Sequence, residues 1–252
     1  MKCYMETFNA FYQNAYYDFC RTVDKDSIMP KEPVPYKIDS SIREVARHNN
    51  HEIIFRSDKL SNKRGVFSTI HHELVHYYDR SMFENTGYKQ EDIDLLCLTF
   101  SEIHASYIEL LSYFRYNNLS VGCKISLDDK MDIIHSIREW IIHEIDDQKK
   151  DVSALSFKKT MYILGYRRSL YKLIKEQDEI RKLLDNKQLF TDDTRPYILE
   201  IDNTVDFNNY SFIAVNNIRR SKMWVENILK RNMLNNILSA LPDEIKKNLP
   251  DF

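Results

Sequence analysis

The chain lacks several features that mark large classes of protein. Only four glycines and six prolines occur in 252 residues, which disfavours a fold of many tight turns and favours long helices. No apolar run approaches the roughly 18 residues that a transmembrane helix needs, so no transmembrane segment is expected. The formal net charge of −2 supplies no basic surface, so nucleic acid is not an expected partner.

The amino terminus and the cysteines carry no signal of secretion. Residues 1–20 mix acidic and amide side chains with apolar ones, unlike a signal peptide or an Arg-rich transit peptide. The cysteines Cys3, Cys20, Cys97 and Cys123 include no CxxC pair, so a zinc knuckle is not expected. Two disulfides and four thiols are both possible, and reduced thiols are favoured because nothing else indicates secretion.

Hydrophobic periodicity predicts the elements of the first quarter of the chain. Residues 1–29 form an amphipathic helix with an aromatic stripe, and the prolines of 30–35 then impose an extended linker. Residues 42–47 and 51–56 are predicted to pair as a hairpin around the polar turn 48–50. This small sheet precedes the first long helix of the remaining chain.

The rest of the chain is mostly helical in its pattern. Ser126 with Asp129 resembles a capping box that opens one of these helices. Residues 189–216 are mixed, with a possible strand at 197–201. The predicted helices cover residues 61–83, 91–116, 126–148, 156–186 and 218–241. The chain is therefore expected to be α+β and mostly helical.

The segment His72-Glu73-Leu74-Val75-His76 carries the strongest chemical signal. On a helix, residues i and i+4 lie one above the other, so His72 and His76 can share one metal ion. Neutral imidazole suits Zn²⁺. Glu73 stands beside the metal face, where it can take a proton from water and pass it to a leaving amine. The alternative is a helix whose histidines simply lie on the surface.

Asp79 and Glu102 compete to be the third protein ligand that catalytic zinc usually has. Asp79 lies about a turn beyond His76 on a straight helix, so it is expected off the metal, bonded to a ligand or a neighbouring cation. Glu102 comes from a separate helix that can fold back antiparallel, and it borders the apolar Phe100 and Ile103. Glu102 is therefore the predicted third ligand.

Several nearby side chains have less specific assignments. His104 is an alternative ligand from the helix of Glu102, and Ser106 is predicted to hydrogen-bond behind the ligands. His71 is expected to pack or to face solvent. The residue that stabilises the oxyanion is left open between two later histidines and a tyrosine, namely His135, His143 and Tyr107.

The motifs HELVHYYD at 72–79 and SEIHAS at 101–106 resemble one peptidase family. This is the mitochondrial intermembrane-space zinc metallopeptidase family that matures an ATP synthase subunit and assists assembly of the membrane sector. The resemblance covers residues 40–110, including the predicted hairpin. The chain departs from the family where His104 and Met82 stand in place of arginines, and it has fewer cysteines.

The resemblance implies a zincin-like fold, with a small β-sheet before the active-site helix and a helical carboxy-terminal part. The expected parts are an amino-terminal helix at 1–29, a catalytic core at 30–125 and a helical region at 126–252, together one compact unit. The implied location is the mitochondrial intermembrane space or a related organelle, with peripheral association at the inner membrane. Cys3 and Cys20 could be paired there; the alternative location is cytoplasmic.

The expected activity is that of a metalloendopeptidase that holds one zinc per chain and acts on a protein or peptide substrate. In this assignment His72, His76 and Glu102 hold the metal and Glu73 is catalytic. Two alternatives remain open. One is a zinc protease unrelated to ATP synthase, such as an effector or a stress-related enzyme, and the other is a catalytically idle, zinc-binding assembly scaffold.

Overall fold

The computed structural model describes residues 2–24, 28–49, 51–85, 89–116 and 126–150, together with most residues between 161 and 173, which are helical. The expectation of a mostly helical α+β protein with a small sheet is confirmed. Within this part of the chain the elements are α1 (Lys2–Thr22), β1 (Tyr36–Ile38), β2 (Ala46–Asn49), β3 (Glu52–Phe55), α2 (Lys63–Glu84), α3 (Gln90–Leu96), α4 (Glu102–Arg115) and α5 (Leu127–Lys150).

The three strands form one sheet in the order β1-β3-β2. A hairpin forms as predicted, because β2 and β3 pair antiparallel from Ala46 opposite Phe55 to Asn49 opposite Glu52. Its first strand lies later than predicted, since His48 and Asn49, expected in the turn, belong to β2. Strand β1, which pairs parallel with β3, lies at the end of the segment predicted as a linker. A three-residue strand next to several prolines carries too little periodicity to be recognised from the sequence.

Strand β2 is one of the two edges of this sheet among the described residues. The amide of Arg56 donates to Val45 O at 2.9 Å, which makes this pair a hydrogen-bonded one at the start of the ladder. Antiparallel pairs alternate, so the backbone groups of Ala46 and His48 point away from β3. The sheet therefore presents an edge that a further extended chain can join.

Helix α1 packs its aromatic stripe against the sheet and α2 and contributes much of the core. The buried residues of this stripe are Phe8, Tyr12, Ala15, Tyr16 and Phe19. The helix ends at Thr22, seven residues earlier than predicted. Two tyrosine hydroxyls then hold the proline-rich segment, with Tyr12 donating to Val34 O at 2.8 Å and Tyr16 to Pro30 O at 2.6 Å.

The suggested pairing of Cys3 with Cys20 within one chain is wrong. Both residues lie on α1, and a rise of about 1.5 Å per residue separates them by roughly 25 Å. A disulfide requires Cα atoms within about 7 Å. Cys20 and Cys97 are free thiols.

The helix predicted at 61–83 is α2, and its bounds agree closely with the prediction. Asn62 caps it, with the side-chain oxygen accepting from Gly65 N at 3.1 Å. The single helix predicted at 91–116 is interrupted: a π-helical turn, Cys97–Ser101, separates α3 from α4. Half of the capping box is present at α5, where Asp129 N donates to Ser126 Oγ at 3.0 Å.

The predicted strand at 197–201, the mixed stretch at 189–216 and the helix at 218–241 lie outside the described residues. Where the structure is described, no helix has both the length and the apolar character needed to cross a bilayer.

Candidate metal centre

Helices α2 and α4 bring three predicted metal ligands together. His72 Nε2 and His76 Nε2 are 3.2 Å apart, and Glu102 Oε2 lies 3.7 Å from each of them. Two ligands of a tetrahedral zinc at about 2.05 Å are roughly 3.3 Å apart, so the two imidazoles already have the required spacing. His72, His76 and Glu102 therefore form a group that can hold a metal ion.

The other ring nitrogen of each histidine is held by α4 or by the π-helical turn that precedes it. His72 Nδ1 lies 3.0 Å from Glu109 Oε2, and His76 Nδ1 lies 2.8 Å from Ser101 Oγ. A carboxylate can only accept, so Nδ1 of His72 carries the proton and Nε2 is left to face the metal position. Such partners fix the tautomer and orientation of ligand histidines.

Glu109 was not predicted as a site residue. It lies seven residues after Glu102, two helical turns away, so the same periodicity that related His72 to His76 places it on the face of Glu102. Tyr166 OH also donates to Glu109 Oε2 at 2.9 Å. No sequence signal links Tyr166 to this site, because it comes from a separate helical segment packed on α4.

The centre has a negative electrostatic environment. Burial by itself lowers the pKa of His72, but the charges of Glu109, Glu73 and Glu102 outweigh burial and raise this pKa to about 9. Such a cluster stabilises positive charge, either as a proton on the imidazole or as a metal cation that replaces it. Metal binding at this site is therefore expected to release a proton.

Glu73 lines the same cavity as the three ligands and is nearly buried, with 7% of its surface exposed. The cavity has a volume of about 450 Å³. One wall is the edge of the sheet, from Glu44 to His48. Burial, with the charges of Arg80 and His51, lowers the pKa of His48 to about 4, so this cavity imidazole is neutral near pH 7.

Asp79 lies outside the ligand group. Its side chain is fully buried, and both carboxylate oxygens contact His104 Nδ1, at 2.9 and 3.2 Å. His104 is thus directed to Asp79 and is not one of the three clustered ligands. The pair ties α2 to α4 one turn away from His76, which fixes the spacing of the two helices beside the centre.

Ser106 and His71 are both buried and are not members of the ligand group. Ser106 Oγ makes no hydrogen bond within the described residues, and Ser106 Cβ instead faces Gly165 closely. His71 Nδ1 lies 2.9 Å from Phe67 O, and its Nε2 lies 3.1 Å from Asp18 Oδ2. His71 is therefore a packing residue between α1 and α2, one of the two roles expected for it.

The remaining candidates for the oxyanion are not at the cavity wall formed by the described residues. His135 and His143 are exposed on α5. Tyr107 packs beneath Lys172, whose Nζ lies 5.8 Å from the ring centroid. Tyr162 does line this cavity, and its ring centroid is 5.5 Å from that of His72.

Fold and site together define a mostly helical α+β protein with a candidate metal centre held between two antiparallel helices. No protein-family model matches the chain, and the searches of curated proteins and of solved structures also returned no match. The proposed function therefore rests on the geometry and chemistry of the site.

Proposed function

We propose that the protein is a zinc-dependent endopeptidase. The observation that carries the proposal is the convergence of two imidazole nitrogens and one carboxylate oxygen, His72, His76 and Glu102, in a cavity that also contains Glu73. Two histidines and a glutamate are a donor set of catalytic zinc sites, which leave one position for water or substrate. A purely structural zinc site usually has four protein ligands.

The chain's own residues supply binding and proton transfer. When bound, zinc contributes Lewis acidity that lowers the pKa of water and polarises a peptide carbonyl. The Glu73 carboxylate accepts the proton of the attacking water and delivers it to the leaving amine nitrogen. The outward-facing backbone groups of Ala46 and His48 can pair with an extended substrate along β2, which fixes the scissile bond beside Glu73.

Cleavage of an unfolded protein tests the activity directly. We expect zinc-loaded wild type to cleave reduced and alkylated casein, with the products mapped by mass spectrometry. Glu73→Gln should hold zinc normally and lose at least about 100-fold in rate, since it removes the proton acceptor. Glu91→Gln, an exposed glutamate on α3, is the matched control and should cleave like wild type. Equal cleavage by Glu73→Gln and wild type would contradict the proposal.

Metal content tests the ligand assignment independently of turnover. Purified protein should hold about one zinc per chain, measured by plasma mass spectrometry. Glu102→Gln should reduce zinc affinity and activity together, and His76→Ala should lose most of the metal. His51→Ala, an exposed histidine after β2, is the control. Stoichiometric zinc in a His72→Ala/His76→Ala double variant would overturn the centre.

We further propose that the peptidase is related to the family that matures an ATP synthase subunit in the mitochondrial intermembrane space. The contact of Asp79 with His104 supports this, because these are the positions at which that family has Asp and Arg. The proposal predicts that tagged protein fractionates with the intermembrane space of mitochondria or of a related organelle. Recovery of the protein only in the cytosol would contradict it.

An idle zinc scaffold is the main rival function. A scaffold requires the ligands and the fold but not a proton acceptor. In that case Glu73→Gln would support assembly of a partner complex as efficiently as wild type does. The position of Glu73 in the cavity with the three ligands favours the enzyme. The cleavage assay above separates the two, because only a peptidase loses its function in Glu73→Gln.

A further inference from the structure

The helical segment between 161 and 173 approaches α4 unusually closely. A Cβ on Gly165 would lie 2.5 Å from Ile103 O and 2.8 Å from Tyr107 N, so any larger residue would force the two backbones apart. One turn later, Ser169 Oγ donates to Tyr107 O at 2.7 Å and holds the same approach. This contact determines which side chains of the segment reach the metal centre.

Two tyrosines one helical turn apart lie at the centre as a result. The ring of Tyr162 lies 5.5 Å from that of His72 at an angle of 49°, and Tyr162 lines the cavity together with Glu73. The ring of Tyr166 is stacked on that of Tyr162, with centroids 6.3 Å apart. The hydroxyl of Tyr166 is engaged by Glu109, behind His72. Of the two, Tyr162 is nearer to the reacting groups.

Tyr162 also places a hydrogen-bond donor beside the carboxylates that line the cavity, Glu73, Glu102 and Glu109. A tyrosine phenol has an ordinary pKa of about 10 and is protonated across the neutral range. A protonated phenol donates a hydrogen bond, whereas the carboxylates around it only accept. Peptide hydrolysis needs such a donor, because negative charge develops on the carbonyl oxygen that water attacks.

We propose that Tyr162 is a catalytic residue whose hydroxyl donates a hydrogen bond to the oxygen of the scissile carbonyl as negative charge develops there. The proton remains on the phenol, and no bond to Tyr162 is formed or broken. The inference rests on the proposed peptidase function, and it assigns a direct role to a segment outside the two sequence motifs. Gly165 and Ser169 are positioning residues for this role.

Replacement of Tyr162 by phenylalanine tests the proposal, because it keeps the ring against His72 and removes only the donor. A fluorescence-quenched peptide built around a mapped casein cleavage site provides kcat and KM separately. We expect Tyr162→Phe to lose about 100-fold in kcat, with KM and zinc affinity within about twofold of wild type. A phosphinic analogue of the same peptide, which mimics the tetrahedral geometry, should bind Tyr162→Phe correspondingly more weakly.

Tyr17→Phe is the matched control, because Tyr17 is half exposed on α1 and its replacement should change none of these quantities. A kcat within threefold of wild type for Tyr162→Phe, with Glu73→Gln inactive, would overturn this inference and leave the proposed function intact. A loss confined to zinc affinity or to KM would also overturn it, since that indicates a structural role. Absence of Glu73-dependent cleavage by wild type would overturn both proposals.

Discussion

Glu109 links the metal centre to the helical segment packed behind it. One carboxylate oxygen, Oε2, contacts His72 Nδ1 at 3.0 Å and accepts from Tyr166 OH at 2.9 Å. Burial and the charge of Glu109 raise the pKa of Tyr166 well above its ordinary value, so this phenol remains a donor. The carboxylate thereby orients a ligand imidazole and increases its basicity.

Replacing Glu109 by glutamine should weaken metal binding without abolishing it. The amide cannot provide the negative charge that stabilises the proton on Nδ1 of His72, so we expect zinc affinity to fall about 10- to 100-fold. Competition with a chromophoric chelator measures this loss, and Glu91→Gln serves again as the control. An unchanged affinity would show that the contact with His72 contributes nothing to the centre.

At the scale of residues, the sequence predicts the placement of site residues that share one helix. It does not predict the placement of those that packing between helices brings to the site. The i, i+4 spacing of His72 and His76 specifies their common direction wherever the helix lies. Tyr162 has no fixed spacing to these histidines, because its position depends on how closely Gly165 lets two backbones approach. Such a contact is a tertiary property, which hydrophobic periodicity does not encode.

Among the elements, the π-helical turn between α3 and α4 has the most direct bearing on the site. It covers Cys97–Ser101 and ends immediately before Glu102. A π turn contains one more residue than an α-helical turn, so it rotates the residues that follow it relative to those before it. Ser101 reaches His76 and Glu102 reaches both histidines, while α3 keeps its own apolar face buried.

Insertion of one alanine after Leu98 should therefore disrupt the centre more than it disrupts the helix. The π turn already holds one extra residue, so a second one rotates α4 by about 100° relative to α3. Either the apolar face of α3 or the pair Ser101 and Glu102 then leaves its position. We expect a loss of zinc affinity of at least tenfold, with the far-ultraviolet circular dichroism nearly unchanged.

The control for this insertion is Leu98→Ala, which shortens the half-buried side chain beside the insertion but keeps the residue count. It should retain zinc affinity within about twofold and lose only some stability. If both variants lost zinc equally, the side chain of Leu98 would be responsible and the phase of the helix would not. The apolar stripe of this segment predicts one uninterrupted helix, because a single extra residue barely alters such a stripe.

Across the whole molecule, a cluster behind the metal centre joins α1, α2 and α4. Asp18 Oδ2 lies 3.1 Å from His71 Nε2 and accepts from Arg115 Nη2 at 2.7 Å. Burial by itself raises the pKa of Asp18, but the contact with His71 and the charge of Arg115 outweigh burial and hold this pKa well below its ordinary value. The ionised carboxylate therefore stabilises the folded chain.

This cluster predicts a specific dependence of stability on pH. A carboxyl group whose pKa is lowered by folding stabilises the protein fully when the pH is above its pKa in the unfolded chain, which is about 4. This stabilisation is lost as the pH falls through the pKa of the group in the folded protein. Asp18→Asn should thus reduce the free energy of unfolding by about 1.5–3 kcal/mol at pH 7. The difference from wild type should shrink below about pH 4.

Urea unfolding of metal-free protein at pH 7, 5 and 3 measures this difference, with a chelator present so that zinc release does not contribute. Asp132→Asn, an exposed aspartate on α5, should differ little from wild type at any of these pH values. A difference between Asp18→Asn and wild type that grew as the pH fell would contradict the assignment.

The separation of the site residues along the chain has a consequence for biosynthesis. His72 and His76 share one helix, so both imidazoles leave the ribosome almost together and offer a passing metal ion only two donors. Glu102 emerges later, and Tyr162 later still. For the proposed peptidase, this order means that a nascent chain can begin to bind zinc well before the proposed active site is complete. The delay would protect both the unfinished chain and its neighbours from premature cleavage.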